Sequence, residues 1–309
     1  MTRVVSILAL LSLLALVAGC VSLTPYEELI AGQPAERLLA LAGGRVYVED
    51  HGRGEAVLLV HGLGASSYAW RTVSAELARD FRVVALDLAG FGLTERPRSK
   101  KSYSGSAQGE LVLAVMDRLG IARAHLVGHS YGGSVSMALA VRSPERVRSL
   151  TLVNSSGPDY PQARRSAAAA LLPVTSLYVR TRSLRRANVE KKLRRSAADD
   201  SVVTPALVDE YWRRLKVEGA PRAFWGLTAP LADPQESFEL ADVATPTVVI
   251  WGALDELIRV DRARRAAARM QASRFVVIEG AGHVPMEERP QELVRLLRTF
   301  LELGLSAFD

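Results

Sequence analysis

Ser130 stands in the run Gly128-His129-Ser130-Tyr131-Gly132, followed by Gly133. A serine hydroxyl alone is a weak nucleophile and needs a neighbouring base. The glycines at 128 and 132 mark a strand-to-helix turn too tight for side chains, which exposes Ser130 and aims the first amides of the following helix at the same point. The apolar pair Leu126-Val127 before it and the small residues after it supply that strand and helix. The base is expected at His283, in Glu279-Gly280-Ala281-Gly282-His283, because it follows the last buried-strand signal, and strand ends are where parallel sheets place their sites. Of the other histidines, His51 reads as part of a hairpin turn and His125 as a strand start. His61 and His129 sit in motifs where backbone shape matters more than the ring. The acid is expected at Asp255, in Trp251-Gly252-Ala253-Leu254-Asp255, where a buried carboxylate would fix the imidazole tautomer. Glu256 is adjacent, with its side chain expected to point elsewhere. In His61-Gly62-Leu63-Gly64 the glycines let the backbone turn its amides toward the nucleophile, so the amides of Leu63 and Tyr131 are the expected oxyanion donors. The chemistry implied is acyl transfer to water through an acyl-enzyme, with no metal and no organic cofactor.

These residues must be carried to one place by the elements around them. Continuous apolar runs at 56–60, 81–86, 124–127, 150–153, 247–251 and 275–278 read as strands buried on both faces. Helical patterns lie between them, at 69–79, 108–119, 132–141 and 261–270, with a last one at 291–303. Segments 37–41 and 45–50, joined at Ala42-Gly43-Gly44, read as an antiparallel pair. The alternation predicts an α/β fold: a mostly parallel eight-stranded sheet with helices on both faces. No buried-strand run appears between Asn154 and Ala244, a stretch too long for a bare loop. It is Ala- and Arg-rich, so residues 157–240 are expected to form an inserted helical cap, with 37–156 and 241–309 as the core. Tyr211, Trp212, Phe224 and Trp225 in the cap fit either a pocket lining or, more simply, its core.

Composition sets the remaining bounds. The chain has 309 residues, 39 Lys and Arg against 33 Asp and Glu, and one cysteine. An intramolecular disulfide and a cysteine-based metal cluster are therefore excluded. The basic residues form no nucleic-acid reading motif with interleaved aromatics, so no nucleic-acid partner is expected. Residues 161–200 hold ten Lys or Arg against three acids, which fits a solvated helix face or an anionic lipid surface. Arg3 precedes an apolar run at 4–18, shorter than the ~20 residues of a spanning helix, and the segment closes on Val17-Ala18-Gly19-Cys20. This pattern resembles the lipobox of bacterial lipoproteins. The resemblance implies that residues 1–19 are a signal peptide and that Cys20 is lipidated, placing the protein on a membrane of the cell envelope outside the cytoplasm. Residues 20–36, with Pro25 and Pro34, read as a tether reaching up to ~50 Å, or as a segment packed partly on the domain through a short amphipathic turn of Tyr26, Leu29 and Ile30.

Taken together, residues 37–303 resemble the α/β-hydrolase family. Asp87-Leu88-Ala89-Gly90-Phe91-Gly92 is similar to that family's D-x-x-G-x-G turn, in which Asp87 would be structural. His61-Gly62-Leu63-Gly64-Ala65-Ser66, continuing to Trp70, resembles the branch of cap-bearing esterases, C–C hydrolases and haloperoxidase-like enzymes. Haloalkane dehalogenases and epoxide hydrolases of the family carry Asp where this chain has Ser130, which makes both activities unexpected here. The resemblance implies a small-molecule ester or other acyl substrate, with C–C bond hydrolysis second and a non-catalytic binding role third. No obligate protein partner is expected.

Overall fold

The computed structural model describes residues 21–157, 183–228 and 238–309. Eight strands form one sheet: β1 (Leu38–Leu41), β2 (Gly44–His51), β3 (Ala56–Val60), β4 (Arg82–Leu86), β5 (Ala124–His129), β6 (Val147–Val153), β7 (Thr247–Gly252) and β8 (Ser273–Ile278). Their order is β1-β2-β4-β3-β5-β6-β7-β8. β1 and β2 run antiparallel to their neighbours and all other pairs are parallel. The Val- and Leu-rich sequences of β3 to β7 explain this, because a strand without polar alternation must be covered on both faces.

Two helical layers provide that cover. On one face lie α3 (Gly105–Arg118), α4 (Tyr131–Arg142) and α8 (Val260–Ala267), which contribute Val112, Val115, Met116, Val135 and Ala263 to a buried cluster with the sheet. On the other lie α2 (Arg71–Leu77) and α10 (Pro290–Leu303), with Val73, Leu77, Leu293, Leu297 and Phe300 packed inward.

The topology also locates the site. From β3 the chain turns to β4 on one side, then crosses back to β5 on the other. Loops leaving the carboxyl ends of β3 and β5 diverge there and open a crevice at the switch point. Registers Val60↔Gly128, His129↔Val153, Val153↔Ile250 and Gly252↔Ile278 bring those ends to nearly one level.

Between β6 and β7 the described residues contain α5 (Arg186–Ser196), α6 (Pro205–Leu215) and α7 (Ala220–Thr228). Thr204 caps α6 by accepting from the Leu207 amide, and Pro205 occupies its first turn, where a missing N–H costs nothing. Val189, Leu193, Leu207, Val208 and Tyr211 join the cluster on the α2/α10 face, so the cap shares a core with the sheet. The parts of the expected cap at 158–182 and 229–237 lie outside the described residues, as do the expected signal and Cys20.

The extended form of the tether expected at 20–36 is corrected, and the packed alternative, a short amphipathic turn carrying Tyr26, Leu29 and Ile30, is what the chain adopts. From Val21 onward the chain is packed: α1 (Tyr26–Ile30) buries Leu29 and Ile30 against Tyr47, Leu93 and Val217. The Tyr26 hydroxyl donates to the Leu93 carbonyl at 3.1 Å. Two adjacent aliphatic side chains in a polar stretch sufficed, because a complementary groove lay far away in sequence.

Candidate active site

Ser130 is the single residue between β5 and α4. Its backbone is at φ 48°, ψ −117°, a region that costs a non-glycine residue ~1–3 kcal/mol. The glycines around it are enforced by contact. A Cβ on Gly132 would stand 2.3 Å from the Val60 carbonyl oxygen, and one on Gly128 would stand 2.6 Å from the Gly132 carbonyl. The strain is held by backbone bonds on both sides: the Ser130 amide donates to Val153 O, and its carbonyl accepts from the amides of Gly133 and Ser156.

His283 arrives on the loop after β8. Its Nε2 lies 3.1 Å from Ser130 Oγ, and its Nδ1 lies 2.8 Å from Asp255 Oδ2. Asp255 follows β7 and its side chain is fully buried. Its Oδ1 accepts from the amides of Leu257 (2.8 Å) and Ile258 (2.9 Å), and Oδ2 also accepts from Asn154 Nδ2 (2.7 Å). Burial pushes this carboxyl pKa up, but the bonds from His283, Asn154 and the Ile258 amide outweigh it and hold the group below the usual carboxylate range. An ionised carboxylate only accepts, so Nδ1 of His283 carries the proton and Nε2 presents a lone pair to the serine hydroxyl. Glu256 is exposed, which leaves Asp255 as the acid at this site.

The expected oxyanion donors sit beside the nucleophile. Tyr131 opens α4, so its amide belongs to a helix N-terminus aimed at the crevice. The Leu63 loop runs against Ser130 so closely that a Cβ on Gly62 would be 3.0 Å from Ser130 Cβ. His61 shapes that loop: its Nε2 accepts from the Leu88 amide at 3.0 Å, which leaves Nδ1–H to donate to Gly62 O at 2.8 Å. Asp87 braces it from below, accepting from the amides of Ser67 and Leu93, the structural part expected of it. His129 donates from Nε2 to the His283 carbonyl at 2.8 Å. Burial, and then the nearby His283, lower its pKa to about 3, so this ring is a neutral brace.

Three contributors escaped the sequence reading. Asn154 directly follows β6 in the left-handed region (φ 42°), and links Asp255 Oδ2 to Gly282 O and the Gly252 amide. Its only sequence signal is position: an Asn, tolerant of that conformation, at the end of a buried strand. Glu288 is buried, has no ion pair among the described residues, and accepts from the amides of Gly282 (2.9 Å) and Ala198 (2.7 Å). It thereby joins the histidine loop to the cap segment that accepts the His283 amide at Ser196 O (2.7 Å). Glu287 takes a bidentate pair from Arg71 (2.9 and 2.7 Å) and a hydrogen bond from Tyr211 of α6 (3.0 Å). Tyr211 is buried in a core cluster, Trp212 and Phe224 are partly buried against such clusters, and the Trp212 indole donates to Leu184 O. Cap packing therefore holds the inner sides of these three aromatics.

A sheet-edge serine, a histidine poised to take its proton and a hydrogen-bonded carboxylate behind it define a nucleophilic hydrolase site. The family described as the alpha/beta hydrolase fold matches residues 55–290, and the chain belongs to that family. Among curated proteins it is similar to the 2-hydroxymuconate semialdehyde hydrolase of Pseudomonas putida, 32% identical over 273 residues, covering 86% of this chain and 93% of the relative. Among solved structures it resembles a meta-cleavage product hydrolase from Pseudomonas fluorescens (26% identity, TM-score 0.69, 85% of this chain and 96% of the other). It also resembles a thermophilic esterase from Thermogutta terrifontis (25% identity, TM-score 0.71, 88% and 98%).

Proposed function

We propose that this protein is a serine hydrolase of carboxylic esters. The observation that carries the reading is the unbroken relay from Ser130 Oγ through His283 to Asp255, at 3.1 and 2.8 Å, on a strained turn. Ser130 Oγ attacks the acyl carbon while its proton passes to His283 Nε2. The oxyanion is held by the amides of Leu63 and Tyr131, and Asp255 stabilises the imidazolium. The alcohol leaves with the proton from Nε2, and the acyl group stays on Oγ. Water, deprotonated by the same nitrogen, then attacks the acyl carbon; its collapse returns the proton to Ser130 and releases the acid. An ester places a protonatable leaving oxygen directly at Nε2. A carbon leaving group needs an electron sink in the substrate as well, which makes it the more demanding use of the same relay.

The second reading, C–C bond hydrolysis, is favoured by the relatives named above, one of which is called a semialdehyde hydrolase and one a meta-cleavage product hydrolase. Turnover of p-nitrophenyl esters of graded acyl length, set against a vinylogous dienol diketone, separates the two. Efficient ester turnover that Ser130→Ala abolishes supports the first reading. Efficient cleavage of the diketone alone would replace it with the second.

A further inference from the structure

The polypeptide enters the fold at the cap. Val21 and Leu23 pack with Leu184, Leu215, Ala220 and Phe224. Thr24 pairs with this junction as a bridge to Val217: its amide donates to Lys216 O at 2.8 Å, and its carbonyl accepts from the Glu218 amide at 2.9 Å. The apolar run at 4–18 is separated from Val21 by only Gly19 and Cys20. Three Cα steps span at most ~11 Å. Because Val21 is packed, an anchor formed at Cys20 or ending at Ala18 would meet a bilayer within that reach of the cap junction.

On the α7 side of that junction, away from the acids Glu27 and Glu28 of α1, the surface is basic and carries aromatic rings. The exposed residues Arg98, Lys100 and Lys101 lie on a segment beside α7, and residues 96–101 contain no acid. The Lys100 ammonium stands 3.4 Å from the centroid of the Trp225 ring, and that of Lys216 stands 4.1 Å from the Trp212 ring. Glu218 is the one acid between 215 and 225. Aromatic rings at the acyl boundary with lysine ammoniums beside them at headgroup level are how peripheral proteins seat on anionic lipid. We propose that this face, built from Leu23, Phe224, Trp225, Lys100, Lys101 and Lys216, docks on an anionic phospholipid bilayer and lays the cap on the membrane surface. Substrate then reaches Ser130 past a cap that rests on lipid, a geometry suited to acyl esters drawn from the bilayer.

The test uses the full chain with phosphatidylcholine vesicles, with and without phosphatidylglycerol, read by hydrogen exchange and by co-sedimentation. Amides of 98–101 and 215–225 should exchange more slowly on the anionic vesicles, while those of the exposed 51–55 turn stay unchanged. Each lysine near a charged surface contributes about fivefold in partitioning. Reversal of all three (Lys100→Glu, Lys101→Glu, Lys216→Glu) should therefore weaken sedimentation at least about a hundredfold, with hydrolysis of a soluble ester unchanged. Cys20→Ala should reduce the bound fraction yet keep the same protection pattern in what binds. Vesicle-bound wild type with 98–101 and 215–225 unprotected overturns the proposal. So does a triple reversal that sediments like wild type, or a full chain that binds neither kind of vesicle.

Discussion

The sheet edge and the cap are held by opposite means. At the edge, Asp255 has four hydrogen-bond donors, Ser130 is strained into place, and Gly128 and Gly132 leave no room for a methyl group. On the cap's outer faces the contacts are ion pairs between long, partly exposed side chains: Arg186 with Asp209, Arg194 with Glu190, and Arg213 with Glu210. Exposed pairs of that kind contribute ~0–1 kcal/mol each. The edge therefore tolerates almost no change in geometry, and the cap can be re-clad freely. A single relay can serve different substrates under different caps, consistent with structural relatives that include both an esterase and a meta-cleavage product hydrolase.

Substitutions can break or sharpen this contrast. The largest effect is expected for Ser130→Ala or His283→Ala, with kcat falling by ~10⁶ and the melting temperature nearly unchanged, measured by ester turnover and thermal melts. Asp255→Asn comes next, at ~10⁴ in kcat, because an amide donor facing Nδ1 forces the proton onto Nε2. Glu288→Gln tests the link between the two regions. Steady-state kinetics should show kcat reduced ~10–100-fold, as is typical when a supporting hydrogen-bond partner is altered, with KM changed less and with Glu288→Asp restoring little because it is too short. A loss confined to KM would place Glu288 with the cap alone.

The smallest effect concerns stability and pH. His129 is buried as a neutral ring with its pKa lowered to about 3, whereas in the unfolded chain it titrates near ~6.5. Between those values the unfolded state binds the extra proton, so stability falls as pH drops through that window, by up to ~1.4 kcal/mol per pH unit. The buried His61 ring, its pKa also lowered by burial, acts with the same sign. Asp255, lowered in the fold, contributes stability that is present above its unfolded pKa and lost as pH falls through its folded one. Denaturant melts from pH 7 to 4 should therefore show declining stability, and His129→Gln should flatten the decline. An equal slope in the variant would show that the ring is not the source.

What was readable in the sequence follows the same division. The Ser130 turn was legible because its sterics dictate glycines within two residues of the serine. Asp255 and His283 were legible because each directly follows an apolar strand. Asn154 and Glu288 were not, since the contacts that give them a role, Asn154 with Asp255 and Glu288 with Ala198, span 101 and 90 residues and nothing local distinguishes them. The packed segment after Val21 was legible only as an alternative to an extended tether: Tyr26, Leu29 and Ile30 suggested a turn, but the groove they fill, on Leu93 and Val217, is far away in sequence. In the cap, helical character could be read, and what its aromatics touch could not. Trp212 and Phe224 could serve a pocket or a packed interior on sequence grounds, and only three-dimensional neighbours decide.

Hydrolysis by this relay requires Ser130 to be an activated nucleophile in the folded protein. Incubation with a fluorophosphonate, followed by peptide mapping, tests this most directly. The account predicts one adduct per chain, on the peptide containing Ser130, formed quickly in wild type and at least ~10³-fold more slowly in His283→Ala. Well-folded wild type that remains unlabelled, or labels at another residue while Ser130 stays free, would contradict it.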